Sequence, residues 1–322
     1  MHREESHPTR RLFLPLCGGI FFLILCLIPY VLSPYYRFLV TLALIYGLFA
    51  MSYDIVLGYT GLVSVCHAIP FGIAAYGTLL ASQRLGVNLW IGTLIGMTLS
   101  AVVGWIVGFF STRSRGAGFI IMTIIFTLVL YTITLTWTNF TGGENGLMLK
   151  TRTVALIPGF ITLSFKVGSM SLYYFTLVTL AVSYVICRRI ISSPFGMILQ
   201  AIRGNEVRAK AIGYHVERYK ILSNIIAGIF ASIAGILFLF ANCFISADVV
   251  GIHTSIEVII WSLLGGIGSL VGPLFGAMFM TFLTDFLRKI TENYLIILGA
   301  LFFFAVLFFP DGIAGFIRSK TK

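Results

Sequence analysis

Charge is scarce in this sequence: 10% of its 322 residues are Asp, Glu, Lys or Arg, where a soluble domain carries about a quarter. With 58% hydrophobic residues, a soluble core of this size has no room for the apolar surface, so lipid must act as the solvent. Acids are scarcer than bases, 11 Asp+Glu against 22 Lys+Arg, for a net charge of +11. The bases sit in short gaps between apolar runs, the pattern that orients membrane helices and not that of a nucleic-acid surface. No Gly-Lys dipeptide occurs, and a phosphate-binding loop needs that Lys, so the chain is not its own conventional ATPase. Cys17, Cys26, Cys66, Cys187 and Cys243 include no Cys-x-x-Cys pair, which leaves free thiols in membrane helices and no disulfide framework or zinc site. No catalytic triad, metal-ligand cluster or paired catalytic carboxylates stand out, so nothing points to an enzyme or to a metal or cofactor bound by this chain.

What is present is a series of long apolar runs. A spanning helix needs about 20 mostly apolar residues. Runs at 12–32, 38–57, 62–82, 89–110, 117–137, 171–187, 221–241, 255–283 and 293–309 qualify as candidates. Open sheet edges are excluded from lipid. The expected fold is therefore an all-α, polytopic helical bundle of about eight to ten membrane segments, with broken or re-entrant helices. The first run is too long for a signal peptide and lacks a small-residue cleavage site, so it reads as a retained span. The division expected is a cytoplasmic segment 1–11, one transmembrane domain 12–318 containing a cytoplasmic loop 188–220, and a tail 319–322.

Arg3, Arg10 and Arg11, then Arg113 and Arg115, then Arg188, Arg189, Arg203, Arg208, Lys210, Arg218 and Lys220 fall on one side as the spans are counted. That side is expected to be cytoplasmic, with 138–170 outside. Nine simple crossings would leave Arg318, Lys320 and Lys322 outside. The run 255–283 is too long for one span and is interrupted by Gly265, Gly266, Gly268, Gly272 and Pro273. Two half-helices or a re-entrant hairpin there would return the tail to the cytoplasm. A second Gly-rich break is expected at Gly58–Gly61. Two interrupted segments in different halves point to a substrate path. Gly-x-x-x-Gly pairs at Gly92/Gly96, Gly104/Gly108, Gly268/Gly272 and Gly272/Gly276 read as tight helix packing.

Ionisable residues within membrane runs are functional candidates by default. Asp54 reads as a structural cap near an interface. His67 is either a hydrogen-bonded core residue or part of a path. Glu257 is the strongest candidate for a path or gate role. In the basic loop, Ser193 and Pro194 open one short helix that Gly204 interrupts; Asn205 caps a second, which ends at Gly213. Ile198, Ile202, Val207, Ala211 and Ile212 give the pair an apolar side, and Arg203, Arg208 and Lys210 a charged one. Such a surface suits a gripping partner, while a solvated positive loop is the plainer reading.

The loop segment Phe195-Gly196, Gln200-Ala201-Ile202-Arg203, Asn205-Glu206, Ala209, Ala211-Ile212-Gly213, then Tyr219-Lys220, resembles the cytoplasmic signature of permease subunits of branched-chain amino acid ABC importers, the high-affinity branched-chain amino acid and urea permease family. Asp54–Ser64 with His67 and Phe71–Tyr76, Thr141–Leu147, Ser255–Glu257 with Leu264–Pro273 and Gly276, and Phe309–Gly315 are similar to further motifs of that family, in the same order across residues 38–318. Cys66, Pro70 and Gly204 depart from its pattern. The resemblance implies a transport subunit of a bacterial inner membrane, multi-pass, with both termini cytoplasmic. It implies a second related permease, two cytoplasmic ATPase subunits that use the ATP, and a periplasmic or surface solute-binding protein. It makes Pro194, Phe195, Gly196, Ala201, Ile202, Arg203, Asn205, Glu206, Ala209, Ala211 and Gly213 the ATPase-coupling segment, in which Glu at Ala209 or Ala211 should disturb docking without touching the fold. The residues themselves make Asp54, Gly58, Gly61, His67, Glu257, Gly265, Gly266, Gly268 and Pro273 the candidates for the path or its helix breaks. Branched-chain or other apolar amino acids are the implied solute, and urea or short amides the neighbouring alternative. An ion-coupled transporter or channel acting alone is the rival of another class.

Overall fold

The computed structural model describes residues 23–114, 116–150, 153–157, 161–164 and 168–308. The segment 1–11, the beginning of the first run, Arg115, Arg152, Lys166, the Phe309–Gly315 motif and the tail 319–322 lie outside the described residues.

The expected runs become helices. Residues 23–31 are helical (α1), followed by α2 (Pro34–Asp54), α3 (Ala68–Arg84), α4 (Leu89–Ser111), α5 (Ala117–Thr136) and the single turn α6 (Thr138–Thr141). After the outer loop come α7 (Met170–Ser192), the short α8 (Pro194–Gly204) and α9 (Glu206–Ala211), then α10 (Val216–Asn242), α11 (Ile252–Gly265), α12 (Val271–Ile290) and α13 (Tyr294–Phe308). Among the described residues, five helical stretches are long and apolar enough to cross a membrane unaided: Pro34–Tyr59, Leu89–Ser111, Ala117–Thr136, Met170–Ser192 and Val216–Asn242. The outer segment between α6 and α7 forms two small antiparallel ladders, β1 (Leu147–Met148) with β4 (Phe244–Ile245), which follows α10, and β2 (Thr153–Ile157) with β3 (Ile161–Ser164).

α2 is the hub. It is apolar on every side and packs against α7, α10, α11 and α12, so most of it from Leu39 to Asp54 is buried. α4 and α5 instead keep Ile91, Leu94, Leu99, Ile121, Ile125 and Leu128 exposed, which suits a lipid-facing rim. α12 runs antiparallel to α2 along its length. Leu270, just before α12, meets Asp54 (2.9 Å); farther along, a Cβ on Gly47 would lie 3.2 Å from Leu274 Cγ, and at the far end Tyr35 donates to Asp285.

One expected span is corrected, and another, expected to be split, is extended at both ends. The run 62–82 is helical only from Ala68, because residues 60–67 leave the helix. The run 255–283 is two helices, longer than expected at both ends, joined by residues 266–270. Pro273 belongs to the first turn of α12, where its missing N–H costs nothing, and not to the break itself. The Gly92/Gly96 pair seats α4 on α3, since a Cβ on Gly77 would lie 2.9 Å from Gly96 Cα. Gly104 has open space around it and packs nothing.

Candidate functional site

The break after α2 begins as a π-turn, Ile55–Tyr59. Leu62 N–H, which would serve Gly58 O in a regular α-helix, donates to Val56 O instead (3.0 Å). Gly61 then takes φ +77°, in the left-handed region, and the chain stays outside any helix until Ala68. Buried backbone groups freed in this way must find partners. Ser64 N–H donates to Tyr53 Oη (3.2 Å), Val65 N–H to Thr123 Oγ1 (3.2 Å) and Ala68 N–H to Ser255 Oγ (3.0 Å), while Thr127 Oγ1 donates to Val65 O (3.0 Å). Thr60 Oγ1 donates to Ser223 Oγ of α10 (2.9 Å). Hydroxyls from α2, α5 and α11 thus replace the missing helical bonds, and Ser223 of α10 braces the turn through Thr60.

The second break lies against the first. Gly266, Gly268 and Leu270 all have positive φ, and the buried Asp54 carboxylate clasps the turn. Its Oδ1 accepts from Gly268 N–H (2.7 Å) and its Oδ2 from Leu270 N–H (2.9 Å). The reading of Asp54 as a structural cap fits this geometry. A Cβ on Gly58 would lie 2.6 Å from Gly268 N, one on Gly265 2.7 Å from Pro273 N and one on Gly276 3.0 Å from Gly265 Cα. The glycines are the small residues that let these backbones touch.

His67 is a satisfied core histidine. Its Nε2 shares a hydrogen bond with Ser52 Oγ (2.8 Å), and its ring stacks on Phe49 (centroids 5.3 Å) and meets Tyr53 edge-on (5.1 Å). A small cavity of about 20 Å³ adjoins it, lined in part by Ser64, Cys66 and Asn224. Glu257 stands apart, roughly 12 Å up α11 from Gly265 by helical rise. It is half-buried and pairs with the exposed His253 one turn away (3.7 Å).

In α8 and α9, Pro194 occupies the first turn as expected. Ser193 does not cap: its Oγ donates back to Ile190 O (2.6 Å) because the chain turns sharply out of α7, at a corner where a Cβ on Gly196 would lie 2.6 Å from Ile191 Cα. Asn205 does cap, with Oδ1 accepting from Arg208 N–H (2.9 Å), and Gly213 ends the pair at φ +102°. The single apolar side expected for the pair is really two. Leu199, Ile202 and Ala209 are buried, with Ile202 and Ala209 packed on Val216 against Ile198 and Tyr219. Phe195 completes this seat against the Tyr219 ring (5.8 Å). Met197, Val207 and Ile212 are 60%, 72% and 69% exposed on the outside, with Ala201 and Ala211 also exposed. Ala209 therefore belongs to this chain's own packing, and a Glu there would strike the fold, contrary to the sequence expectation. Glu206 receives the buried Lys220 ammonium (2.8 Å), fixing α9 to α10.

Arg203, read from sequence as part of the charged side, is exposed, but its side chain reaches across to the first break. Its guanidinium donates to Gly58 O, and its stem lies over Gly61, where a Cβ would fall 2.9 Å from Arg203 Cγ. Gly268 lies on the same guanidinium: a Cβ there would sit 3.2 Å from Nη1. The structure thus brings Asp54, Gly58, Gly61, Gly268 and Arg203 into one junction, leaves His67 beside it and places Glu257 elsewhere. Sequence reasoning missed Ser52, Thr123 and Ser223; apolar helices here hold many hydroxyls, and none of these stood out. Lys220 was named with the loop signature, but its pairing with Glu206 was not foreseen.

At the opposite end, the Thr141–Leu147 motif turns on Gly142, Gly143 and Gly146, all with positive φ. It borders an open cavity of about 530 Å³ lined by Thr136, Thr138, Asn139, Gly142, Glu144 and Asn145, among others. Arg84 of α3 reaches the neighbouring α6 turn, donating to Asn139 O and standing 4.9 Å from the Phe140 ring.

A family model described as the permease component of branched-chain amino acid transport systems matches residues 35–306. The high-affinity branched-chain amino acid transport system permease protein LivM of Escherichia coli is 25% identical over 311 residues, covering 91% of this chain and 73% of that protein. Its Salmonella typhimurium counterpart matches to the same extent. The ribose import permease protein RbsC of Escherichia coli is 26% identical over 221 residues, 66% of each chain. No solved structure matches.

Proposed function

The chain belongs to the family of permease components of branched-chain amino acid transport systems, and from that premise we propose that it forms, with a second related permease, the path of an ATP-driven importer for branched-chain amino acids in a bacterial inner membrane. Two ATPase subunits supply the energy and a solute-binding protein delivers the cargo. The preference for branched-chain amino acids over urea, short amides or a sugar follows from the family description and from the LivM match, which covers 91% of this chain against 66% for the ribose permease.

The observation that carries the reading is the α8–α9 pair. It is sealed onto α10 from beneath by Ile202, Ala209, Val216 and the Glu206–Lys220 pair, so it is a firm platform and not a loose basic loop. Met197, Val207 and Ile212 project from it beside Arg208. Apolar side chains clustered on a polar surface mark a protein contact. The end of the bundle that bears the platform also carries Arg113, Arg188, Arg189 and Arg218, the asymmetry of a cytoplasmic face. The absence of a Gly-Lys dipeptide supports placing hydrolysis on another chain. Closure of the ATPase pair moves the platform, and the helix breaks beside it give the path its alternating access.

Co-purification of the ATPase subunits with the wild type and with Val207→Glu and Ala211→Glu tests this. A charge buried in the docked interface without a partner costs several kcal/mol, so bound ATPase should fall about tenfold or more. Both positions are exposed, so the bundle itself should fold normally. Normal ATPase binding and normal uptake in both variants would make the platform a solvated loop and move an ion-coupled transporter ahead.

A further inference from the structure

We propose that Arg203 is the positioning residue that joins the α8–α9 platform to both helix breaks at once, so that displacement of the platform is delivered to Gly58 and to the α11–α12 turn. The proposal rests on the reading of α8–α9 as the ATPase platform. The π-turn leaves Gly58 O without its usual helical donor, because Leu62 N–H is spent on Val56 O. The Arg203 guanidinium supplies that donor. A planar fork with five N–H groups suits this task, and a single ammonium does not.

Three features make the contact a joint and not an incidental surface bond. The stem of Arg203 lies on Gly61, which is held at φ +77°, so the first break has the space the side chain fills. The guanidinium also borders Gly268, in the turn that Asp54 clasps from the other side at 2.7 and 2.9 Å. Opposite charges thus flank one turn, Asp54 from α2 and Arg203 from α8. Behind Arg203, α8 cannot slide freely: Ile202 is packed with Ala209 and Val216, and Lys220 pins Glu206. Ser223, one turn beyond Lys220 on α10, holds Thr60 of the same break (2.9 Å). The platform and the start of α10 grip the first break at two points, and Arg203 alone of these residues also borders the second.

The test uses the assembled complex with both permeases, the ATPase subunits and the solute-binding protein in liposomes, with leucine as the probe. Arg203→Met keeps the stem and removes the donors; Arg203→Lys keeps the charge and loses the fork. ATPase binding and hydrolysis in Arg203→Met should stay within about twofold of wild type, while leucine taken up per ATP falls about tenfold or more, the worth of a lost charge-assisted hydrogen bond. Arg203→Lys should lose about threefold in the same ratio, because one ammonium replaces the fork only in part. Amide hydrogen exchange should quicken at 55–62 and 266–270 in Arg203→Met and stay unchanged at 206–213. Wild-type uptake per ATP in either variant, or exchange unchanged at both breaks, overturns the proposal. Loss of bound ATPase in Arg203→Met overturns it as well, since Arg203 would then be a docking contact. If Arg203→Met fails to assemble, Arg203→Lys decides by its ratio and its exchange. A Val207→Glu complex that retains its ATPase would count against the platform reading instead, and the exchange data would still judge the joint.

Discussion

Asp54 carries out its task with two oxygens. Each accepts one backbone N–H of a buried turn that has positive φ at Gly266, Gly268 and Leu270. Asp54→Ala would strand both donors, and each unsatisfied buried group costs roughly 1–3 kcal/mol, so the thermal midpoint in detergent should fall clearly. An unchanged midpoint would show that the turn holds itself. The same reasoning separates two neighbouring alanines. Ala209 is 3% exposed and packed on Ile202 and Val216, whereas Ala211 faces outward. Ala209→Glu buries an unpaired charge in the chain's own packing, so its yield and midpoint should drop, while Ala211→Glu should match the wild type in both. Size-exclusion profiles and melting curves of the two proteins check the contrast; equal profiles would contradict the burial argument.

Among the elements, glycine has two meanings that the sequence alone does not separate. Gly265 meets backbone: a Cβ would lie 2.7 Å from Pro273 N, and no rotamer change relieves that. Gly204, at the end of α8, has open space around it and no positive φ. Gly265→Ala should therefore prevent a stable bundle, whereas Gly204→Ala should be neutral or add about 0.5–1 kcal/mol of helix stability. Melting of the two variants reads this directly, and a tolerated Gly265→Ala would refute the close approach. The all-α bundle and both breaks were legible because long apolar runs and clustered glycines are local signals. The use of each feature was not. That Arg203 reaches across to the first break, that the loop's apolar residues split between an inner seat and an outer face, and that His67 is simply bonded to Ser52 all depend on which helix lies alongside. Periodicity within one helix carries no information about its neighbours. Ser193 failed as a cap for a similar reason: the corner out of α7 leaves Ile190 O nearer than the N–H groups of α8.

For the whole molecule, five helices are long and apolar enough to span a membrane unaided among the described residues. We propose that α1, α3, α11, α12 and α13 also cross, which would make ten crossings and return the chain to its starting side. The split of run 255–283 would then supply the extra crossing that the basic tail requires. Impermeant thiol labelling of intact cells should modify Asn145→Cys and spare Asn205→Cys in a background without the native cysteines; labelling at position 205 would invert the proposed orientation. The contacts also sort the molecule into two ends. Arg203, Asp54, Ser223 and the two breaks gather at the first, and Arg84, Glu144 and the glycine turns of the outer motif at the second. The central claim is that this chain moves solute only when a separate ATPase drives it. The direct measurement is uptake of leucine, isoleucine and valine into liposomes holding the complete complex, with ATP supplied at the ATPase face, with a non-hydrolysable analogue, or with a proton gradient alone. The account predicts accumulation that requires ATP hydrolysis and vanishes when this chain or the ATPase is omitted; accumulation driven by the gradient without ATP would contradict it.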